Sequence, residues 1–126
     1  MLFGKKKYID LVIKYFNDKK ISYEKNDNNI SFEAAFDDYS VFPYITIDED
    51  LNLLTCIINI RKISQKENVL LALNEFNLNS TFFKAMLKND VILLEYNSYI
   101  DNSIIENLLK LIIDTISSLK EEIKVL

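Results

Sequence analysis

Asp48-Glu49-Asp50 is the densest group of carboxylates in the sequence, and oxygen ligands of this kind suit a hard cation such as calcium or magnesium. The run lacks the loop length, the glycine and the distal glutamate of a calcium-binding loop, so it reads as a solvated acidic turn. Asp37-Asp38 reads the same way. Cys56, the single cysteine, shares its parity with Leu54, Ile58 and Ile60 in an extended run, which turns it toward an apolar side. A nucleophilic cysteine needs a base or a helix N-terminus to hold its thiolate, and the chain contains no histidine. Ser/His/Asp chemistry is excluded on the same ground. The one glycine, Gly4, follows no strand, so no glycine-rich loop is available to cradle a phosphate. The expected catalytic, cofactor and metal residues are therefore none, and an enzyme working through carboxylates or tyrosine is the least favoured class.

The elements that would carry any site follow from the hydrophobic pattern. Tyr8, Leu11, Val12, Tyr15 and Phe16 line one stripe of a helix predicted over residues 4–19. Lys5, Lys6 and Lys7 oppose its dipole, which points to a late start or a frayed first turn, and they read as a solvated terminus. A short strand at 21–25 closes in Asn26-Asp27-Asn28-Asn29, residues suited to a turn, and Ile30, Phe32, Ala34 and Phe36 then alternate as a half-buried strand. Two β-rich runs at 41–47 and 53–62 would pair antiparallel, with Pro43 forcing an edge or a bulge.

Ser64-x-x-Glu67 is a capping box ahead of Val69, Leu70, Leu73 and Phe76, predicting a second helix that ends in the run Asn77 to Ser80. Strands at 81–88 and 91–97 flank Asn89-Asp90, a pair suited to a two-residue primed turn. Ser103-x-x-Glu106 is a second capping box, opening a long last helix whose seam is Ile105, Leu109, Ile112, Ile116, Leu119 and Ile123. The fold class this gives is α+β: one domain over residues 1–126, an antiparallel sheet with helices packed on it.

Composition narrows the partners. Nineteen acidic against fifteen basic residues give a net charge of −4, and Arg61 is the only arginine, so nucleic acid is not expected as a partner. Apolar runs stop at four or five residues, too few to span a membrane, and no apolar stretch follows the lysines as a secretory signal requires. With one cysteine there is no internal disulfide, and the cytoplasm is the expected compartment. Abundant Ile, Asn and Lys with few Ala, Gly and Arg suggest an AT-rich bacterial genome or its phage.

The second face of the sheet is less polar than a solvated face should be. Strand parity places Phe42, Tyr44, Leu53, Ile57, Phe82, Met86 and Leu93 there, among Thr46, Thr55, Asn59, Arg61, Lys84 and Glu95. Packing under a helix would account for part of the set; the remainder reads as a protein-binding surface, of a kind rich in Tyr, Phe and Met.

Three strings carry a resemblance to a known family: residues 43–50 (PYITIDED); residues 73–77 (LNEFN) with 81–87 (TFFKAML); and residues 91–96 (VILLEY) before the long last helix. In these the chain resembles the YbjN-like family, whose fold is that of type III secretion chaperones. The resemblance implies an α-β-β-β-α-β-β-α domain, commonly a homodimer and not an enzyme, that binds another protein. The chain departs from the family by lacking glycine at Asn89-Asp90 and the arginine often found after the helix-ending Asn, here Leu78-Asn79-Ser80. The expected function is a non-enzymatic module binding an extended or amphipathic segment of a partner protein. The alternative is a small acidic immunity or inhibitor protein of a bacterial toxin.

Overall fold

The computed structural model describes residues 7–64 and 67–126. Helix α1 (Tyr8–Asp18) opens a run of six strands: β1 (Glu24–Asn26), β2 (Asn29–Ser31), β3 (Ala34–Ala35), β4 (Ser40–Val41), β5 (Tyr44–Asp48) and β6 (Leu53–Lys62). There follow α2 (Leu70–Asn79), the hairpin β7 (Lys84–Lys88) and β8 (Val91–Tyr99), then α3 (Ile105–Ser117) and α4 (Lys120–Lys124). Six strands form one antiparallel sheet in the order β1-β2-β5-β6-β8-β7, and β3 and β4 make a separate two-stranded ribbon. The α+β class and the antiparallel sheet are as the sequence indicates. Against the α-β-β-β-α-β-β-α order, six strands rather than three precede α2, two of them forming the separate ribbon, and the last helix is broken in two.

Local chemistry explains each boundary. Helix α1 ends in a Schellman motif: Ile21 N–H reaches Phe16 C=O, Lys20 N–H reaches Asn17 C=O, and Lys20 takes the left-handed conformation at φ 58°. At its start the acidic turn acts as a cap, since the Glu49 carboxylate accepts from Tyr8 N–H at 2.9 Å and Ile9 N–H at 3.0 Å. Two orphan amides are satisfied by a residue some forty positions away, and the negative charge suits the helix N-terminus. The helix begins at Tyr8; Lys5 and Lys6 lie outside the described residues.

Neither capping box operates as such. Helix α2 starts at Leu70, where Asn68 Oδ1 accepts its N–H, and the Glu67 carboxylate forms a two-pronged pair with Arg61. The turn ahead of α3 is held by Asp101, whose Oδ1 accepts from Ser103 N–H, Ser103 Oγ and Ile104 N–H. The last helix breaks at Ser118-Leu119, where i to i−3 bonds replace the helical pattern and the Ser117 and Ser118 hydroxyls bond back to Ile113 and Thr115 carbonyls. The seam survives the break, with all six of its residues buried.

The strand expected through Ile30 to Phe36 splits in two. Phe32 N–H bonds Pro43 C=O, and beyond that point the chain leaves the main sheet to form β3–β4. That ribbon is pinned to α4: Tyr39 Oη donates to Lys120 C=O, and Lys120 and Lys124 ammonium groups reach Asp37 and Asp38. The Asn89-Asp90 turn is as the sequence suggests, with both residues at positive φ, 52° and 63°.

All four helices bury their apolar residues in a single cluster with Ile30, Ile45, Ile47, Leu54, Cys56, Ile58, Ala85, Ile92 and Leu94 of the sheet. The described helices thus lie on one side of it.

Candidate functional site: the open face of the sheet

Opposite the helices, strand register sorts the side chains into cross-strand rows. Ser31, Tyr44, Ile57, Glu95 and Lys84 form one row, and Asn59, Leu93 and Met86 the next toward the Asn89-Asp90 turn. On the other side of the first row run Asn29, Thr46, Thr55 and Asn97, followed by Asp48, Leu53 and Tyr99. Tyr44, Leu53, Ile57 and Met86 are half-buried, and none belongs to the helix-side cluster or packs against it. Leu93 is only 6% exposed yet also stands outside that cluster, so its cover comes from its own face. No described helix therefore covers these five residues.

The polar row is internally satisfied. Thr46 Oγ1 donates to Asn29 Oδ1, Thr55 Oγ1 to Asn97 Oδ1 at 2.6 Å, and Asn97 Nδ2 to Glu95 Oε2 at 2.9 Å. A row whose hydrogen bonds are already made is inexpensive to cover with another surface. Burial, joined by the nearby Glu95 carboxylate, pushes the Tyr44 phenol above its ordinary pKa, so it stays neutral. Phe42, just outside β5 at Pro43, is 63% exposed and borders a cleft of about 530 Å³ with Tyr23 and Phe32.

Two residues assigned to this face by parity stand elsewhere. Phe82 precedes β7 and is not held by its ladder. Its ring stacks on Tyr96 at 3.9 Å between centroids and 7° between planes, and Tyr96 pairs with Cys56 on the helix side. Arg61 is turned by a β-bulge between Asn59 and Arg61, which sets it opposite Ile92, a core residue. Its guanidinium then bonds Leu126 C=O at 2.9 Å and the Glu67 carboxylate, on the helix side.

Cys56 is fully buried, and burial pushes its thiol up to about 12, so it presents no thiolate at neutral pH. Asp48 folds back on its own turn, accepting from Asp50 and Leu51 N–H, while Glu49 is engaged with α1. Among the described residues no three His, Cys, Asp or Glu side chains stand together as a metal would require.

The structure adds features the sequence reading did not identify. Asn77 of α2 plugs the β7 edge, its Nδ2 donating to Ala85 C=O at 3.0 Å and its Oδ1 accepting from Ala85 N–H at 2.7 Å. Helix α2 also exposes Leu70, Leu71 and Leu78 while burying Leu73 and Phe76. Leu70, expected inside with Val69, points outward. The composition carried a signal for this: leucines at 70, 71, 73 and 78 cannot all face one core.

Comparison with known proteins bears on this geometry. The family model YbjN, described as "Putative bacterial sensory transduction regulator", matches residues 8–123. The crystal structure of YbjN from E. coli is similar at a TM-score of 0.68 and 15% identity, with 91% of this chain and 87% of that one covered. The Yersinia pestis type III secretion chaperone SycH, solved in complex with a stable fragment of YscM2, is similar at a TM-score of 0.60 and 15% identity, covering 94% of this chain and 99% of that one. No curated protein matches the sequence.

Proposed function

The chain belongs to the YbjN family, and from that premise we propose that it is a non-enzymatic module that holds an extended or amphipathic segment of a partner protein against the open face of its sheet. The observation that carries this reading is an apolar strip with no described helix over it: Tyr44, Ile57, Leu93 and Met86 at its centre and Leu53 at one end. The sheet edges offer less. Asn77 occupies the β7 edge, and β1 is three residues long and exposed throughout. The face is accordingly the surface on offer, and a rigid sheet loses little entropy on binding. SycH shares this fold and is solved with a fragment of another protein, which supports the reading.

A homodimer in the cytoplasm completes the proposal. Support for self-association comes from α2, where Leu71 at 71% and Leu78 at 85% exposure stand a helical repeat of seven apart on one side. No described helix is long and apolar enough to cross a membrane.

Photo-crosslinking tests the face directly. A benzoylphenylalanine at position 57 should trap a partner in the native host, and the same partner should be lost from pull-downs by Tyr44→Ser with Ile57→Lys, a weakening of about tenfold or more for a central apolar anchor. Recovery of the same partner at the same level by that variant would refute the face as the binding site.

A further inference from the structure

A second cavity lies on the helix side, remote from the open face, where the C-terminal ends of α2 and α3 converge beside the Ser118-Leu119 break. Its volume is about 330 Å³, near the lower end of ligand sites. The floor is apolar, made by buried Phe76 and Leu119 and half-buried Phe82, whose ring is backed by Tyr96. The rim is exposed and carries Glu75, Thr81, Ser118 and Glu122.

The side-chain charges that line this cavity are of one sign, those of Glu75 and Glu122. No lysine or arginine lines it. The C-terminus of α2 adds negative partial charge with no basic residue in its last turn to offset it, whereas at the end of α3 the next helix, α4, begins at once with Glu122 in its first turn. The described cations nearby do not line the cavity: Lys84 is engaged with Ser80 C=O at 2.7 Å and Asn77 C=O at 3.4 Å, and Lys120 and Lys124 of α4 reach Asp37 and Asp38. Neither Glu75 nor Glu122 pairs with a described cation. An apolar, aromatic floor beneath two carboxylates matches a group that is itself divided, an alkyl stem ending in a positive charge. Because the whole rim is solvent-exposed, the occupant has room for a backbone outside the cavity.

We propose that this cavity seats a basic side chain, lysine or arginine, projecting from a partner polypeptide, with its stem on Phe76, Phe82 and Leu119 and its charge between Glu75 and Glu122. The assignment is independent of the open-face reading, since the two surfaces lie on opposite sides of the sheet.

The test is an amide NMR titration of the full chain with the peptide acetyl-Gly-Gly-Arg-Gly-Gly-amide, its neutral citrulline isostere, and butylguanidinium. The expected result is saturable shifts at Asn79, Thr81, Ser118 and Val125 with the arginine peptide, about tenfold weaker with citrulline or in Glu75→Gln/Glu122→Gln, the sum of two exposed charge contacts. Both glutamates are exposed, so the variant keeps its fold, and its own spectrum verifies that. An equal response to citrulline, an unchanged response in the double variant, or equal shifts at the Asp48 to Asp50 turn overturns the proposal. Saturation by butylguanidinium without saturation by the peptide overturns the polypeptide occupant and reassigns the cavity to a small organic cation.

Discussion

Replacing Asn77 by alanine removes two hydrogen bonds and uncovers an edge of the sheet. The two-residue turn at Asn89-Asp90 makes Lys88 and Val91 a hydrogen-bonded pair, so along β7 Met86 and Lys84 bond inward to β8 while Ala85 and Leu87 direct their amides outward. Asn77 satisfies both outward groups of Ala85, as a further strand would. Each bond contributes about 1 kcal/mol net, and alanine's better helix propensity in α2 returns about 0.5 kcal/mol, so the loss is about 1.5 kcal/mol. With an unfolding entropy of about 2.1 cal/mol/K per residue, a domain of this size should melt about 6 °C lower.

Circular dichroism reads the melt, and hydrogen exchange at Ala85 reads the cause. Its amide should be protected in the wild type and exchange rapidly in Asn77→Ala, while Leu94, opposite it in β8 and fully buried, stays slow. Asn77→Asp keeps the acceptor for Ala85 N–H and loses the donor to Ala85 C=O, so it should retain protection at Ala85 with reduced stability. The bared edge should also make Asn77→Ala associate with rising concentration in light scattering. An Ala85 exchange rate unchanged by Asn77→Ala would refute the plug.

Four further outcomes are expected. Glu49→Ala should cost about 2 kcal/mol in urea unfolding and speed exchange at the Tyr8 and Ile9 amides, because a charged cap is lost from α1. Lys20→Gly and Asp90→Gly should each stabilise by about 1 kcal/mol, since both residues sit at positive φ where glycine carries no steric cost. Cys56 should react with a disulfide reagent only as fast as the protein opens, its thiol being pushed up to about 12 by burial. Asp101, held below the ordinary carboxylate range first by the Ser103 hydroxyl and then by the Ser103 and Ile104 amides, stabilises the fold above the unfolded-state carboxylate value of about 3.9; that contribution is lost as pH falls through its lower folded value, and Asp101→Asn should flatten this acid limb.

What could be read from the sequence was what neighbouring residues decide. Leu53 to Lys62 announces β6 by alternation, and the two asparagine-rich turns announce themselves by residue type. The buried seam from Ile105 to Ile123 is a repeat that any core would select. What could not be read depends on residues distant in sequence. The capping boxes at Ser64 and Ser103 compete with alternatives, and Arg61 draws Glu67 away while Asp101 supplies three bonds that Ser103 cannot. Glu49 resembles a solvated turn residue until α1 is placed beside it. Asn77 carries no local mark of its role, because Ala85 is special only as an edge residue.

The open face shows the same division, and its cause is one of arithmetic between stripes and faces. Parity places Tyr44, Ile57, Met86 and Leu93 correctly because each lies inside a ladder. It fails at Phe82, which precedes the ladder, and at Arg61, which follows the bulge. Each helix contributes one apolar stripe, and all of those stripes go to the face of Ile45, Cys56 and Leu94. The remaining exposed apolar surface on the helices, Leu70, Leu71 and Leu78 of α2 and Leu111 of α3, belongs to helices whose inner sides, Leu73 and Phe76 in one and Leu109 and Ile112 in the other, are already docked in that core. It cannot reach the opposite side of the sheet without undocking. No described stripe of this chain is therefore left to cover Tyr44 and Ile57, which is the reason the proposed partner segment is placed on them.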